Sequence, residues 1–149
     1  MAQDQEIQAI SYTIQVLEEQ ANILNERQEY YVETLQGLQI TLTTIDELEQ
    51  LPDNHEIILP IGNRAFLKAK VQEPSKILVA VGRDVIMEKA LPDARDYTRK
   101  MMDEIKNAQK TTKEQLSQIL KKLDELKGAL NQRVGTGSGG EEPPSEDSM

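Results

Sequence analysis

Apolar residues recur every three to four positions through the first half-hundred residues of the chain. Counted from Ile7, heptad position a holds Ile7, Ile14, Ala21, Gln28, Leu35 and Leu42. Position d holds Ile10, Leu17, Leu24, Tyr31, Leu38 and Ile45. Gln28 is the only one of the twelve that is neither apolar nor aromatic. A seven-residue repeat kept this long is the pattern of a coiled coil, because it holds one apolar seam against a partner helix. The spacing predicts a helix from about Gln5 to Glu49, about 65 Å long at 1.5 Å per residue. Pro52 stops this first segment, 5–51, and the turn-prone Asp53-Asn54 follows.

A second helix is predicted over segment 92–134. Pro92 suits a first helical turn, and Asp93 and Asp96 suit the positive end of the helix dipole. Its seam is Met102, Ile105, Gln109, Thr112, Leu116, Ile119, Leu123, Leu126 and Leu130, polar only at Gln109 and Thr112. Folded back antiparallel, with paired residue numbers adding to 140, Ile10 meets Leu130, Leu17 meets Leu123 and Leu38 meets Met102. In the same register Gln28 meets Thr112 and Tyr31 meets Gln109, so the polar exceptions share one layer. Such a layer fixes register at some cost in stability.

Between the helices, over 55–90, the period changes. His55-Glu56-Ile57-Ile58-Leu59 is β-prone, and Gly62-Asn63 is a turn pair. Then Ala65, Leu67, Ala69 and Val71 alternate with Phe66, Lys68 and Lys70. Lys76 to Val81 is a strongly apolar strand, Gly82-Arg83-Asp84 turns, and Val85 to Glu88 is a last short strand. Pro60 cannot donate to a ladder and belongs at an edge or a bulge. The expectation is two hairpins. Residues 135–149 are low in apolar content and hold four acids, so they read as a disordered acidic tail.

The fold class is therefore α+β: a long antiparallel intrachain coiled coil carrying two central β-hairpins. Four short strands cannot bury a two-sided core, and their edges carry unpaired backbone groups. Pro52 and Pro92 put both helices on one side of the strands, so strands from other chains are expected to complete the sheet. The same layout puts both chain ends at the far end of the helical pair, with Ile7, Ile10, Ile14, Leu123, Leu126, Leu130 and Val134 near the tips. Helix ends open at little cost, which would expose this seam intermittently.

Composition narrows the function classes. Aromatics are 3% of 149 residues, too few for an ordinary compact core. There is no cysteine and one histidine, His55, which leaves little for thiolate or histidine metal sites or for nucleophilic catalysis. No GxxxxGK[ST] loop is present. We expect no enzyme, no catalytic residues, no cofactor and no metal. No apolar run is long enough to span a membrane, and the N-terminus is unlike a signal peptide, so a cytoplasmic location is expected. The net charge of -9 is unevenly spread. Residues 1–54 hold eleven acids and one base, whereas residues 91–134 hold ten bases and seven acids. No segment is basic enough for nucleic acid, but the two helices attract each other.

The order of helix, hairpins and helix resembles prefoldin, specifically the archaeal alpha-class subunit. Ile58-Leu59-Pro60-Ile61-Gly62 with Ala65-Phe66-Leu67-Lys68-Ala69 is similar to the family's first hairpin. Val79-Ala80-Val81-Gly82 followed by Met87-Glu88-Lys89 is similar to its second, although Arg83-Asp84-Val85-Ile86 replaces the family's small-Gly-aromatic run. The resemblance implies an ATP-independent molecular chaperone subunit. It would assemble as two alpha with four beta subunits, its hairpins completing a β-barrel. Distal coiled-coil tips would hold unfolded client proteins and pass them to a group II chaperonin during protein folding. Under that reading Ile57, Leu59, Phe66, Leu67, Ile77, Val79 and Val81 serve subunit assembly. Ile7, Ile10, Ile14, Leu123, Leu126, Leu130 and Val134 serve client binding. The alternative is a structural scaffold or tether for specific folded partners.

Overall fold

A computed structural model describes residues 2–137, with side chains through Gly135. Helix α1 spans Ala2–Leu48 and helix α2 spans Leu91–Gly137. Between them lie strands β1 (His55–Gly62), β2 (Ala65–Val71), β3 (Lys76–Ala80) and β4 (Ile86–Ala90). Most of the acidic tail expected over 135–149 lies outside the described residues. The chain divides into two compact units: the α1 segment through Tyr30 with the α2 segment from Ala108, and Tyr31–Asn107.

In the first unit the helices run antiparallel. The Arg133 guanidinium donates to the Glu6 carboxylate, and Lys127 Nζ lies 3.0 Å from Glu18 Oε1. Gln28 Nε2 donates to the Gln109 carbonyl at 3.2 Å. All three contacts fall within one heptad of the expected register. Ile14, Ala21, Leu24, Leu123 and Thr112 are buried along the seam. The polar layer is real: Gln28 Oε1 is buried there without a hydrogen-bond partner.

The second unit contains the hairpins and the helix segments that carry them. Its core is Ile45, Leu91 and Ala94, with Leu48, Ile77 and Val79 packed against it. Ala94 is fully buried. Its small side chain leaves room for the β3 residues Ile77 and Val79 to reach the helices. Thr98, also buried, satisfies its hydroxyl by donating to the Ala94 carbonyl at 2.8 Å. Arg95 ties the helices from the rim, donating to Asp46 Oδ1 from Nε at 3.1 Å and from a terminal nitrogen at 2.9 Å. A second ion pair joins it to Glu49, and these carboxylates, Glu49 foremost, raise the guanidinium pKa above its ordinary value.

The end of α1 tightens before Pro52. Gln50 and Leu51 donate to the carbonyls of Glu47 and Leu48, three residues back, instead of four. Asn54 then takes a left-handed φ of 58°, tolerable for its short polar side chain. The β1–β2 and β3–β4 ladders are antiparallel and form two separate two-stranded sheets. Pro60 sits at the register shift before Gly62, where no ladder donor is needed. The first turn differs from the expected Gly62-Asn63. Gly62 pairs with Ala65, so Asn63 and Arg64 form the loop and Arg64 takes φ 63°.

Candidate interaction surfaces

The strand ladder sorts side chains between two faces. On the β1–β2 hairpin Ile57 and Leu59 stand opposite Ala69 and Leu67 on one face. Ile58 and Pro60 stand opposite Lys68 and Phe66 on the other. Neither face is covered: Ile58, Leu59, Ile61, Leu67 and Phe66 are exposed, Phe66 at 65%. A large exposed apolar patch on a small sheet marks an interaction site. Glu56 faces Lys70 across the ladder, so charge at that end is matched within the hairpin.

The β3–β4 hairpin behaves differently. Ile77 and Val79 turn toward the Ile45–Leu91–Ala94 core and anchor the hairpin to the helices. Lys89 of β4 adds a cation–π contact, its Nζ lying 5.4 Å from the Tyr97 ring centre. The opposite face is open, with Leu78 at 73% exposure and Ile86 also exposed, while Met87, paired with Val79 on the anchored face, is exposed as well. Val81 is half-buried past the end of β3, its N–H donating to the Val85 carbonyl at 2.9 Å. Among the described residues neither sheet has a third strand, so every outer edge keeps free backbone donors and acceptors.

Of the seven strand residues expected to serve assembly, Leu59, Phe66 and Leu67 are exposed and Ile57 and Val81 half-buried. Ile77 and Val79 are committed within the chain. Sequence reasoning missed Ile58, Ile61, Leu78, Ile86 and Met87, which are exposed apolar residues of the same surfaces. For Ile58 and Leu78 the available signal was strand alternation, since each is the off-face neighbour of residues already singled out.

The helix-end seam is placed otherwise. Ile14 and Leu123 are buried, Ile7, Ile10, Leu126 and Leu130 half-buried, and Val134 alone is exposed. The Glu6–Arg133 and Glu18–Lys127 pairs cross between the helices along this stretch. The closed helical pair therefore presents little apolar surface here, and a larger one appears only if the ends part.

Among the described residues no group of acidic and histidine side chains is arranged to hold a metal, and no helix is long and apolar enough to cross a membrane. The Prefoldin subunit family model matches residues 10–136. The prefoldin alpha subunit of Methanoregula boonei is 30% identical over 93% of this chain and 90% of its own length. That of Pyrococcus horikoshii is 29% identical over 85% of this chain and 86% of its own. Among solved structures, filamentous prefoldin from Methanocaldococcus jannaschii superposes with a TM-score of 0.58 at 20% identity, covering 82% of this chain and 95% of that one. The prefoldin beta subunit from Thermococcus strain KS-1 gives 0.55 at 15% identity, covering 85% and 90%. With two helices, two small hairpins and a match running through all of them, the chain belongs to the prefoldin family of chaperone subunits, in the archaeal alpha class.

Proposed function

We propose that this chain works in the cytoplasm as the alpha subunit of a hetero-oligomer with beta-class prefoldin subunits, two alpha to four beta. Its hairpins pair edge to edge with other subunits and complete a barrel. Its helix ends hold non-native polypeptides without nucleotide and pass them to a group II chaperonin. The observation that carries the reading is the pair of hairpins whose large apolar side chains and strand edges are both uncovered. A sheet of two short strands is marginal in water, so neighbouring strands supply the missing ladder and cover the apolar faces. At the helix ends, Ile7, Ile10, Leu126 and Leu130 supply apolar surface when the pair frays.

The deciding experiment is co-expression with beta-class subunits followed by native mass spectrometry. The expected species contains two copies of this chain and four beta subunits, and it suppresses aggregation of unrelated denatured proteins with no nucleotide added. A chain that stays monomeric beside every beta subunit offered would sink the assembly reading. An intact assembly that fails to suppress aggregation would sink the client reading alone and favour the scaffold.

A further inference from the structure

The two faces of the β1–β2 hairpin differ in charge. One carries Ile57, Leu59, Leu67, Ala69 and Val71, with His55 at its end. On the other, β2 contributes Phe66, Lys68 and Lys70, and β1 sets Pro60, Ile58 and Glu56 opposite them in that order. The single carboxylate of this face, Glu56, therefore stands against Lys70, and Lys68 stands against Ile58. One acid beside two bases leaves the face with an excess positive charge, in a chain whose net charge is -9. Past the ladder, Arg64 adds a further base in the turn, and Glu73 lies three residues beyond Lys70, between β2 and β3. Lys68 is exposed and enters no ion pair among the described residues.

The neighbours of Lys68 on this face are large and apolar. Phe66 is two residues along β2, about 7 Å away at about 3.4 Å per residue. Ile58 is directly opposite, and the two are 65% and 67% exposed. A surface that covers Phe66 and Ile58 also draws the Lys68 ammonium out of water, and an ammonium buried without a counter-charge opposes that burial strongly. The covering partner must then bring a carboxylate. The ladder shows where. One hydrogen-bonding edge of β2 is taken by β1 and the other is open. A strand added at the open edge sets one of its side chains on the same face directly opposite Lys68, with about 5 Å between Cβ atoms.

We propose that the strand completing the sheet at the free edge of β2 comes from a beta-class subunit and carries an aspartate or glutamate opposite Lys68, two residues from a large apolar side chain that covers Phe66. The inference rests on the assembly reading above and adds to it the edge that is used and the pair that recognises the partner. Lys68 also fixes register, because a slip of one residue turns the carboxylate to the other face and leaves the ammonium unpaired. A strand with a base at that position is rejected by like charge.

Cross-linking without a spacer reads the pair directly. The assembly of the full-length chain with beta-class subunits is treated with a water-soluble carbodiimide, which joins an amine to a carboxylate only where the two touch, and linked peptides are mapped by mass spectrometry. The expected product joins Lys68 to a strand carboxylate of a beta subunit. Lys127 and Glu18, 3.0 Å apart within this chain, provide the positive control. In parallel, Lys68→Glu should raise the subunit concentration at which the assembly half-dissociates by about tenfold or more. The chain alone, in which Lys68 is exposed, should keep its urea midpoint. An assembly that yields the Lys127–Glu18 link but none from Lys68 to another chain would overturn the proposal, and so would unchanged assembly of the Lys68→Glu chain. A link from Lys68 to a second copy of this chain would overturn it too and assign the edge to a like subunit. No assembly with any beta subunit, seen by native mass spectrometry before the reagent is added, would defeat the assembly reading itself and the recognition pair with it.

Discussion

Two single residues carry local costs that can be measured. Arg64 holds φ 63° in the β1–β2 turn, where its Cβ crowds the backbone and no local hydrogen bond compensates as it would for Asn or Asp. Arg64→Gly is expected to raise stability by about 0.5–1 kcal/mol, read as a later urea midpoint with an unchanged slope. A lower midpoint would show that the Arg64 side chain, not the turn geometry, sets the balance. Gln28 is the second case. Its Nε2 donates to the Gln109 carbonyl, but its Oε1 is buried without a partner. The Gln109 carbonyl keeps its helical partner without Gln28, so Gln28→Leu orphans nothing. We expect Gln28→Leu to raise the thermal midpoint, by about 1 kcal/mol or more of added stability. A lowered midpoint would mean that the amide contributes more by its bond than it loses by its orphaned oxygen.

At the scale of elements, the helices were more legible than the hairpins. All twelve a and d positions named on α1, and all nine on α2, are withdrawn from solvent. A single buried stripe leaves one period in the sequence, and that period survives any local exception. The α2 seam nevertheless begins earlier than Met102, at Leu91, Ala94 and Thr98. Those positions keep the three-to-four spacing, but Ala94 and Thr98 look like surface residues, and only packing against β3 reveals why small ones are needed. In the hairpins both faces are apolar, so alternation cannot tell which face is held by the chain and which is left open. The structure separates them within one strand, and adjacent substitutions test the separation. Val79→Asp places a charge against Ile45, Leu91 and Ala94 and should release the hairpin, costing about 3 kcal/mol or more. Leu78→Asp, one residue away on the exposed face, should leave the monomer's unfolding midpoint within about 0.5 kcal/mol of the parent. It should still prevent assembly with beta subunits on sizing chromatography. Equal losses of monomer stability from both changes would refute this division of the strand.

For the whole molecule, the proposed function assigns assembly and client capture to different residues, so the two should be separable. In the chain alone the hairpins leave their apolar surface exposed, so the proposed assembly calls for long-lived neighbours that shield it from aggregation. The helix ends conceal theirs: Ile14 and Leu123 are buried, and acid–base pairs cross between the helices beside them. Surface where apolar residues appear only on fraying suits transient, sequence-tolerant binding, because each encounter repeats the small cost of opening. Removing residues 1–14 and 124–149 deletes Ile7, Ile10, Ile14, Leu126, Leu130 and Val134 and leaves every strand in place. The trimmed chain should join beta subunits in the parent stoichiometry by native mass spectrometry, while the assembly loses most of its suppression of aggregation without nucleotide. Undiminished suppression would move client binding away from the helix ends, and failure to assemble would mean that the two functions share more of the chain than the exposed hairpins suggest. Mixing trimmed and full chains adds a graded readout. If each helix pair holds client independently, suppression should fall in proportion to the trimmed fraction. A steeper fall would show that several pairs engage one client together, since linked weak sites lose affinity faster than their number declines.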